Sequence, residues 1–328
     1  MKPFHGMPVG PDVQLFKPSS GPMPGYVHVN SSFIISREDA VPRSVADRAQ
    51  KLHPRRVRHA APGPHRAFAH LLANPSLIAT GFAALAVYGL PFLTDHADTV
   101  LTSKSVPRKQ LATAFDPGLI RSDPSDVWHV NYRAATLQAV PPATALAQAL
   151  ALVRQGEVTW DVTPVPALAP DLVRAIQLID TARHFLELDP VELLAASRQR
   201  VELTWLVSAL IHSSAFAESP KETEMRLLAQ EVARRFKVTL VEQFVLLDAS
   251  GTPITRFDLA FPDLKIGLMY DGAQHWEHER RHKDTSINLQ ATVLNWQVLR
   301  FSARTLYSLI SVLEAILTAR GLSGTSAG

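Results

Sequence analysis

Cysteine is absent from this sequence of 328 residues. Its absence excludes disulfide bonds, iron–sulfur clusters, cysteine-based zinc sites and thiolate nucleophiles, so any chemistry must use oxygen and nitrogen groups. It is also typical of proteins kept in a reducing compartment. The first residues contain no apolar run of the length of a signal peptide, and we therefore expect a cytoplasmic protein.

Charged residues are also scarce. They make up 19% of the chain, where 33 lysines and arginines face 30 aspartates and glutamates. A net charge of +3 is far from that of a polycation, so binding to nucleic acid would require local basic patches. Hydrophobic residues account for 46%, which excludes a globally disordered chain, and the length predicts about two domains.

One stretch lacks acidic and basic side chains altogether. Residues 67–94 contain no Asp, Glu, Lys or Arg, and the stretch is long enough on paper to span a bilayer. Pro75 and Pro91, however, are typical of the boundaries of a helix of about four turns. We therefore predict a buried helix over residues 76–89 and no membrane contact, with a membrane span as the less favoured alternative.

Basic residues concentrate between residues 31 and 58, where they accompany the short apolar run Phe33-Ile34-Ile35. These basic residues are Arg43, Arg48, Lys51, Arg55, Arg56 and Arg58. The segment could be a small DNA-binding helical unit, but it has no clear helix-turn-helix pattern. A solvated cationic surface around a modest helix is the favoured interpretation, and the sequence assigns no function to residues 1–60.

Changes in composition and periodicity predict five segments. They are a proline-rich flexible arm at 1–27, a mainly helical region with short strands at 28–165, a helical connector at 166–215, an α/β or α+β domain at 216–320 and a flexible tail at 321–328. In the second segment we expect strands near 99–102 and 127–130 and a helix over 143–153.

The predicted C-terminal domain begins with a clear helix signal. Ser219 is a favourable N-cap, Pro220 fits the first helical position, and Glu222 follows three residues after the cap. Glu222 is therefore interpreted as a capping carboxylate, with an inward-facing metal ligand as the alternative. Further on, residues 254–260 and 265–271 alternate like two strands joined by a turn, which predicts a hairpin.

Each strand of this hairpin carries an aspartate, Asp258 in the first and Asp271 at the end of the second. An acid within an apolar strand is costly to bury unless it is paired or bound to a metal, so both are candidates for a functional site. Asp271 precedes Gly272, and a simple turn-forming role is its alternative. A period of two residues places Met269 on the same face as Asp271.

An ordered set of residues in this domain resembles a known family. The set is Ser219-Pro220-x-Glu222-Thr223-x-x-Arg226, Gln243, Arg256-Phe257-Asp258, Tyr270-Asp271-Gly272-x-x-His275, Asp284 and Trp296-x-Val298-Leu299-Arg300-Phe301. It is similar to the very-short-patch-repair-like branch of the PD-(D/E)xK nuclease superfamily over residues 216–320. A shorter stretch, Ala79–Pro91, resembles the upstream AbiEi-type antitoxin region that such relatives carry.

The resemblance implies a restriction-endonuclease-like domain, with a central mixed sheet flanked by helices, that acts on or binds DNA as a metal-dependent endonuclease. It implies Mg²⁺ or Mn²⁺ held by Asp258 and Asp271, since Mg²⁺ needs only one or two protein carboxylates beside the substrate phosphate. The other implied catalytic groups are Glu222 as an outer ligand, Gln243 as a positioning group and His275 as a general acid or base or a phosphate contact.

Basic side chains near this site would contact the phosphates of DNA. The candidates are Arg256, Arg280, Arg281, Lys283 and Arg300. A charged, solvated loop is the alternative interpretation of these residues. The histidines at 275, 278 and 282 also allow a zinc site, which we disfavour because no second ligand cluster accompanies them.

One position departs from the family pattern. Met269 stands where relatives carry a glutamate that helps to bind the metal, and a thioether contributes almost nothing to a hard cation. We therefore expect a weak or degenerate cation site. The alternative function is a non-catalytic regulator in which the nuclease fold binds nucleic acid or a protein partner.

Overall fold

The computed structural model describes residues 13–20, 23–272 and 289–324. The chain folds into two compact units. The N-terminal unit comprises residues 1–161 and 174–213, and the C-terminal unit comprises residues 162–173 and 214–328. The predicted domain at 216–320 lies within the second unit, and the predicted connector at 166–215 is divided between the two.

The N-terminal unit is built on a five-stranded mixed sheet. Its strands, in spatial order, are β5 (Gly118–Arg121), β4 (Val100–Ser103), β3 (Ile78–Ala79), β7 (Ala135–Ala139) and β6 (Trp128–Tyr132). The central strand β3 is antiparallel to β4 and parallel to β7. The outer pairs are β4 with β5, which are parallel, and β6 with β7, which are antiparallel. A separate antiparallel pair consists of β1 (Tyr26–His28) and β2 (Ile34–Ser36).

Several helices accompany this sheet. They are α1 (Arg43–Leu52), α2 (Gly63–Ala73), α3 (Gly81–Val87), α4 (Pro142–Arg154), α6 (Pro190–Ala196) and α7 (Leu203–Ile211), while α5 (Pro170–Phe185) contributes residues to both units. All residues of α3 are buried, and it packs against α2 and α4. Its small, alanine-rich sequence allows this close packing on all sides.

The charge-free stretch at 67–94 does not form the single helix predicted over 76–89. Ile78–Ala79 is instead the strand β3, and α3 begins only at Gly81. Both segments are apolar, and over so few residues a helical pattern cannot be distinguished from an extended one, so pairing with neighbouring strands decides the outcome. Within the described ranges, no helix has the combined length and apolarity needed to cross a bilayer.

The predicted flexible arm at 1–27 is also corrected in its described part. Val13 is fully buried, Phe16 forms an antiparallel bridge with Ile34, and β1 begins at Tyr26. These residues pack because other parts of the N-terminal unit cover their apolar side chains, although the proline-rich segment has no core of its own.

The C-terminal unit is built on a four-stranded mixed sheet. Its strands lie side by side in chain order as β8 (Val241–Leu247), β9 (Pro253–Phe261), β10 (Ile266–Tyr270) and β11 (Gln297–Phe301). Strand β9 is antiparallel to both β8 and β10, whereas β11 is parallel to β10. The expected mixture of helices and mixed sheet is confirmed, as is the predicted hairpin of β9 and β10.

Helix α8 (Pro220–Phe236) precedes this sheet and begins where the sequence predicts. Ser219 is its N-cap, and Lys237 ends it in a left-handed conformation with φ 54°. The helix packs against α9 (Leu309–Ala319) and contacts β10. Residues 289–293 are also helical. In the predicted tail, Gly324 lies against the ring of Phe236, where a Cβ would come within 2.9 Å of Cε2.

An apolar cluster forms part of the core of the C-terminal unit. Its buried residues are Leu246, Phe257, Ala260 and Ala291. Trp296 stacks on Phe257 with ring centroids 5.3 Å apart. Gly267 of β10 is required beside the ring of Phe257, because a Cβ at residue 267 would lie 2.7 Å from the aromatic carbons of Phe257.

Candidate functional site

Glu222 takes part in the N-terminal cap of α8. The hydroxyl of Ser219 donates to Oε1 of Glu222 at 3.0 Å and accepts from the Glu222 backbone N–H at 3.3 Å. The backbone N–H of Glu218 donates to Oε2 of Glu222 at 2.8 Å. Both carboxylate oxygens therefore accept hydrogen bonds at the helix start, as the capping interpretation predicts.

Next to this helix start lies a small cavity, which we call the Asp258 cavity. Its volume is about 190 Å³, including space open to solvent. Its lining consists of Phe216, Ala217, Glu222, Met225, Arg226, Glu242, Gln243, Asp258 and Leu259. Side chains from α8, β8 and β9 thus meet at one place, and three of them, Glu222, Gln243 and Asp258, are predicted catalytic residues.

Asp258 is an acid in an unfavourable environment. Burial raises the pKa of its carboxyl to about 7. The carboxylates of Glu222 and Glu218 add to this shift, whereas the backbone N–H of Tyr270, which donates to Oδ2 at 2.6 Å, opposes it. The group is therefore balanced between its charged and neutral forms near neutral pH, and a nearby cation would favour the charged form.

Gln243 lies in β8 at the position that faces Asp258 of β9, since the register of the two strands continues on both sides of it. Its backbone has φ 51°, a left-handed conformation that costs a non-glycine residue about 1–3 kcal/mol. Its Nε2 donates to the carbonyl of Phe216 at 3.2 Å. Its Oε1 is buried and has no hydrogen-bond partner among the described residues. A strained residue of the cavity lining thus carries an unsatisfied oxygen.

Asp271 and Met269 do not line this cavity. Oδ1 of Asp271 accepts a hydrogen bond from Nη1 of Arg300 at 3.0 Å. Met269 packs against the apolar cluster of the unit. The structure therefore gives Asp258 and Asp271 different partners, and the remaining predicted catalytic residue, His275, lies outside the described residues.

Two of the predicted DNA-contacting arginines are described. Arg256 forms an ion pair with Glu218 at 2.6 Å, and Arg300 pairs with Asp271. Partly exposed ion pairs contribute about 0–1 kcal/mol, so neither pair prevents the guanidinium from turning to a phosphate. Outside the described residues lie Arg280, Arg281 and Lys283, together with the histidines at 278 and 282.

Two further charged residues line the cavity. Arg226 belongs to the set of residues that carries the family resemblance but is given no role there, and Glu242 is not in that set. The side chain of Arg226 is only 3% exposed, and its Nε lies 3.6 Å from Oε2 of Glu242. Glu242 also accepts a hydrogen bond of 2.7 Å from Ser214. The sequence offers one sign that Arg226 is buried and paired. It stands between the apolar residues Met225 and Leu227, where a charged side chain requires a partner.

The Asp258 cavity can hold a hard cation only through few protein ligands. In the described part of the C-terminal unit, no three histidine, aspartate or glutamate side chains bring ligand atoms within 4.8 Å of one another. The oxygens on offer are those of Asp258 and the unsatisfied Oε1 of Gln243. The carboxylates of Glu222 and Glu242 also line the cavity, but the first caps α8 and the second pairs with Arg226. Mg²⁺ is often held by one or two carboxylates and a substrate phosphate, so this donor set fits a weak Mg²⁺ or Mn²⁺ site.

The N-terminal unit contains a tighter cluster of ligand-type side chains. His53, His59 and Asp98 bring one ligand atom each within 4.8 Å of the others. Oδ1 of Asp98 lies 3.2 Å from Nε2 of His53 and 3.1 Å from Nε2 of His59. The guanidinium of Arg55 pairs with Oδ2 of the same carboxylate. Because Asp98 is distant in sequence from the others, no motif spacing predicts this cluster.

The hydrogen bonds of His53 argue against a metal at this cluster. Its Nδ1 accepts from the backbone N–H groups of Arg55 at 3.2 Å and Val57 at 3.3 Å, so the proton of the neutral ring is on Nε2. A metal bound at Nε2 would require the opposite tautomer. Burial alone would raise the pKa of Asp98, but hydrogen bonds from His53 and His59 hold it well below its usual value. The cluster therefore consists of two histidines that are hydrogen-bonded to Asp98, and it is not a metal centre.

Comparisons of the chain with protein-family models, with curated proteins and with solved structures find no match.

Proposed function

We propose that the C-terminal unit is a nuclease-like domain that binds DNA through a weak divalent-cation site at Asp258. The main support is that Glu222, Gln243 and Asp258 line one cavity. These residues are singled out by the resemblance to PD-(D/E)xK nucleases, and they come from α8, β8 and β9. Their convergence requires the tertiary fold, since no two of them are neighbours in sequence.

The chemistry of phosphodiester hydrolysis explains why such a cavity would be useful. The reaction needs an activated water and neutralisation of negative charge on the phosphate, which a bound Mg²⁺ or Mn²⁺ supplies. In this chain Asp258 would hold the cation, and Oε1 of Gln243 would add a neutral oxygen ligand. The raised pKa of Asp258 fits this role, because a cation would offset the burial and the repulsion from Glu222 that together disfavour its charged form.

The positions of Asp271 and Met269 favour weak cation binding and slow or absent hydrolysis. Asp271 is already paired with Arg300, and Met269 packs against apolar side chains. Of the three acids that line the cavity, Glu222 caps α8 and Glu242 pairs with Arg226. Asp258 is therefore the one carboxylate left to hold a cation, where two-carboxylate sites have a pair.

A non-catalytic regulator is the second candidate function, and the same pairings favour it. Arg300 neutralises Asp271, and Glu222 is engaged by the start of α8. In this hypothesis the fold binds nucleic acid or a protein partner without a divalent cation, in keeping with the resemblance of residues 79–91 to an antitoxin region.

The test compares the wild type, D258N and the control D263N, which changes an exposed acid of the same hairpin. Binding to a short DNA duplex is measured by fluorescence anisotropy with and without Mn²⁺, and cleavage is measured on plasmid DNA. We expect Mn²⁺ to tighten DNA binding by the wild type and by D263N but not by D258N. DNA binding that is the same with and without Mn²⁺ in all three would support the regulator. Absence of DNA binding would contradict the proposed function and leave a regulator that binds a protein partner.

A further inference from the structure

A second cavity lies in the N-terminal unit, and we call it the imidazole cavity. Its volume is about 490 Å³, including space open to solvent. Binding sites for small molecules combine apolar walls with a few polar groups. The apolar wall comes from α1, through Val45, Ala46 and Ala49, and from Phe92.

The polar side of this cavity contains two histidines with an unsatisfied nitrogen. Nε2 of His59 donates to Asp98, so its Nδ1 carries only a lone pair. His59 is only 9% exposed, and its Nδ1 is buried without a hydrogen-bond partner among the described residues. Nδ1 of His96 is in the same condition, while its ring stacks on Trp160 with centroids 5.9 Å apart. Leaving such groups unsatisfied is costly, so two at one cavity point to a bound partner.

The charges around the imidazole cavity disfavour an anionic ligand. Asp95 lines the cavity, and its carboxylate accepts a hydrogen bond from the backbone N–H of Gly63. The buried Arg66 donates to the carbonyls of Ala61 and Ala97 and to Thr99, which engages its guanidinium with protein acceptors. The cavity therefore offers acceptors for donors on a ligand rather than donors for an anion.

The histidines are also neutral under ordinary conditions. Burial lowers the pKa of His59 to about 4, and it lowers the pKa of His96 as well. A neutral imidazole nitrogen with a free lone pair accepts a hydrogen bond and neither attracts nor repels a charged group strongly. A metal ion is not favoured, because the neighbouring three-residue cluster is held in the wrong tautomer at His53.

We propose that the imidazole cavity binds a small, uncharged molecule with an apolar body and an N–H or O–H donor, and that Nδ1 of His59 accepts from this donor. The apolar body would contact Ala49 and Phe92, while the donor would satisfy the buried nitrogen. This inference does not depend on the function proposed for the C-terminal unit, because it uses residues of the N-terminal unit alone.

The test uses indole and indene as probes, because the two molecules have nearly the same shape and only indole carries an N–H. Binding to the full chain is measured by isothermal titration, and the ring nitrogens of His59 are followed by ¹⁵N NMR. We expect saturable binding of indole, a shift of the Nδ1 resonance of His59, and binding of indene that is weaker by about fivefold or more.

Two variants of α1 separate the cavity from any other binding place. A49L fills the cavity and is expected to weaken indole binding by about tenfold, since the added side chain occupies the space of the ligand. S44L adds the same side chain at an exposed position of the helix that does not line the cavity, and it should bind indole like the wild type. Circular dichroism and thermal unfolding check that both variants fold.

Three results would overturn the proposal. Equal binding of indole and indene would mean an apolar crevice without use of the histidine. Absence of saturable binding, or of any shift at Nδ1 of His59, would mean that water alone satisfies these nitrogens. Unchanged indole binding by A49L would place the probe elsewhere.

Discussion

The carboxyl group of Asp258 makes the stability of the folded chain depend on pH. Burial raises its pKa from 3.8 to about 7, so the folded chain binds more protons than the unfolded chain between these values. The stability that the protonated group contributes is fully present below about pH 4 and is lost as pH rises through about 7. Its environment thus penalises the charge that a cation would restore.

We expect D258N to remove this pH dependence. Asparagine keeps the size of the side chain and an oxygen that accepts from the backbone N–H of Tyr270. Above pH 7 the variant should be more stable than the wild type by a few kcal/mol, because each unit of pKa shift corresponds to about 1.4 kcal/mol. Urea unfolding over a pH series measures this difference. D263N is the control and should follow the wild type; a slope in D258N as steep as that of the wild type would contradict the assignment.

A glutamate at residue 269, where the proteins that this chain resembles carry one, is not expected to create a cation site. Met269 packs against the apolar cluster, so M269E would place a carboxylate among apolar side chains and cost about 2–4 kcal/mol in the free energy of unfolding. M269L is the matched control and should cost less than about 1.5 kcal/mol. Urea unfolding and the plasmid assay test both variants. If M269E were as stable as M269L and cleaved DNA, this placement of residue 269 would be wrong.

At the scale of elements, the start of α8 allows the two interpretations of Glu222 to be separated. S219A removes the N-cap hydroxyl and should lower the free energy of unfolding by about 1 kcal/mol. E222Q keeps an oxygen acceptor at the capping position, so its stability should stay close to that of the wild type. Urea unfolding measures both. A large loss of Mn²⁺-dependent DNA binding in E222Q, with unchanged stability, would instead favour a role in cation binding.

The elements that the sequence predicts correctly are those whose signals are local. The cap at Ser219 and the alternation of β9 and β10 each lie within a few residues, so they can be recognised without knowledge of the rest of the fold. Strand β3 is different, because two apolar residues have no period of their own. Its conformation is decided by pairing with β4 and with β7, which follows much later in the chain.

The candidate site shows the same division. The sequence groups Glu222, Gln243 and Asp258 only through their resemblance to a nuclease pattern, and in the structure these three residues line one cavity. The pairing of Arg226 with Glu242 has no signal in the sequence, because it forms only when α8 and β8 meet. The left-handed backbone of Gln243 likewise has no signal in the sequence, since glutamine rarely adopts it.

At the scale of the whole molecule, the two units are expected to respond to acid in opposite directions. In the N-terminal unit, burial lowers the pKa of four histidines from 6.5, with His59 and His70 reaching about 4. The other two are His65 and His96. The unfolded chain protonates these groups first, so the stability present above pH 6.5 is progressively lost as pH falls towards 4. In the C-terminal unit, Asp258 acts in the opposite sense over nearly the same range.

Hydrogen exchange followed by mass spectrometry can measure both responses in one sample, because each peptide reports on its own unit. As pH falls from about 7 towards about 5, after correction for the intrinsic exchange rate, opening should become easier in the N-terminal unit and harder around β9. D258N should abolish the second response and leave the first unchanged, because the histidines belong to the other unit. If both units changed stability with the same sign, or if D258N altered the N-terminal response, the buried groups named here would not be the ones that control the response to pH.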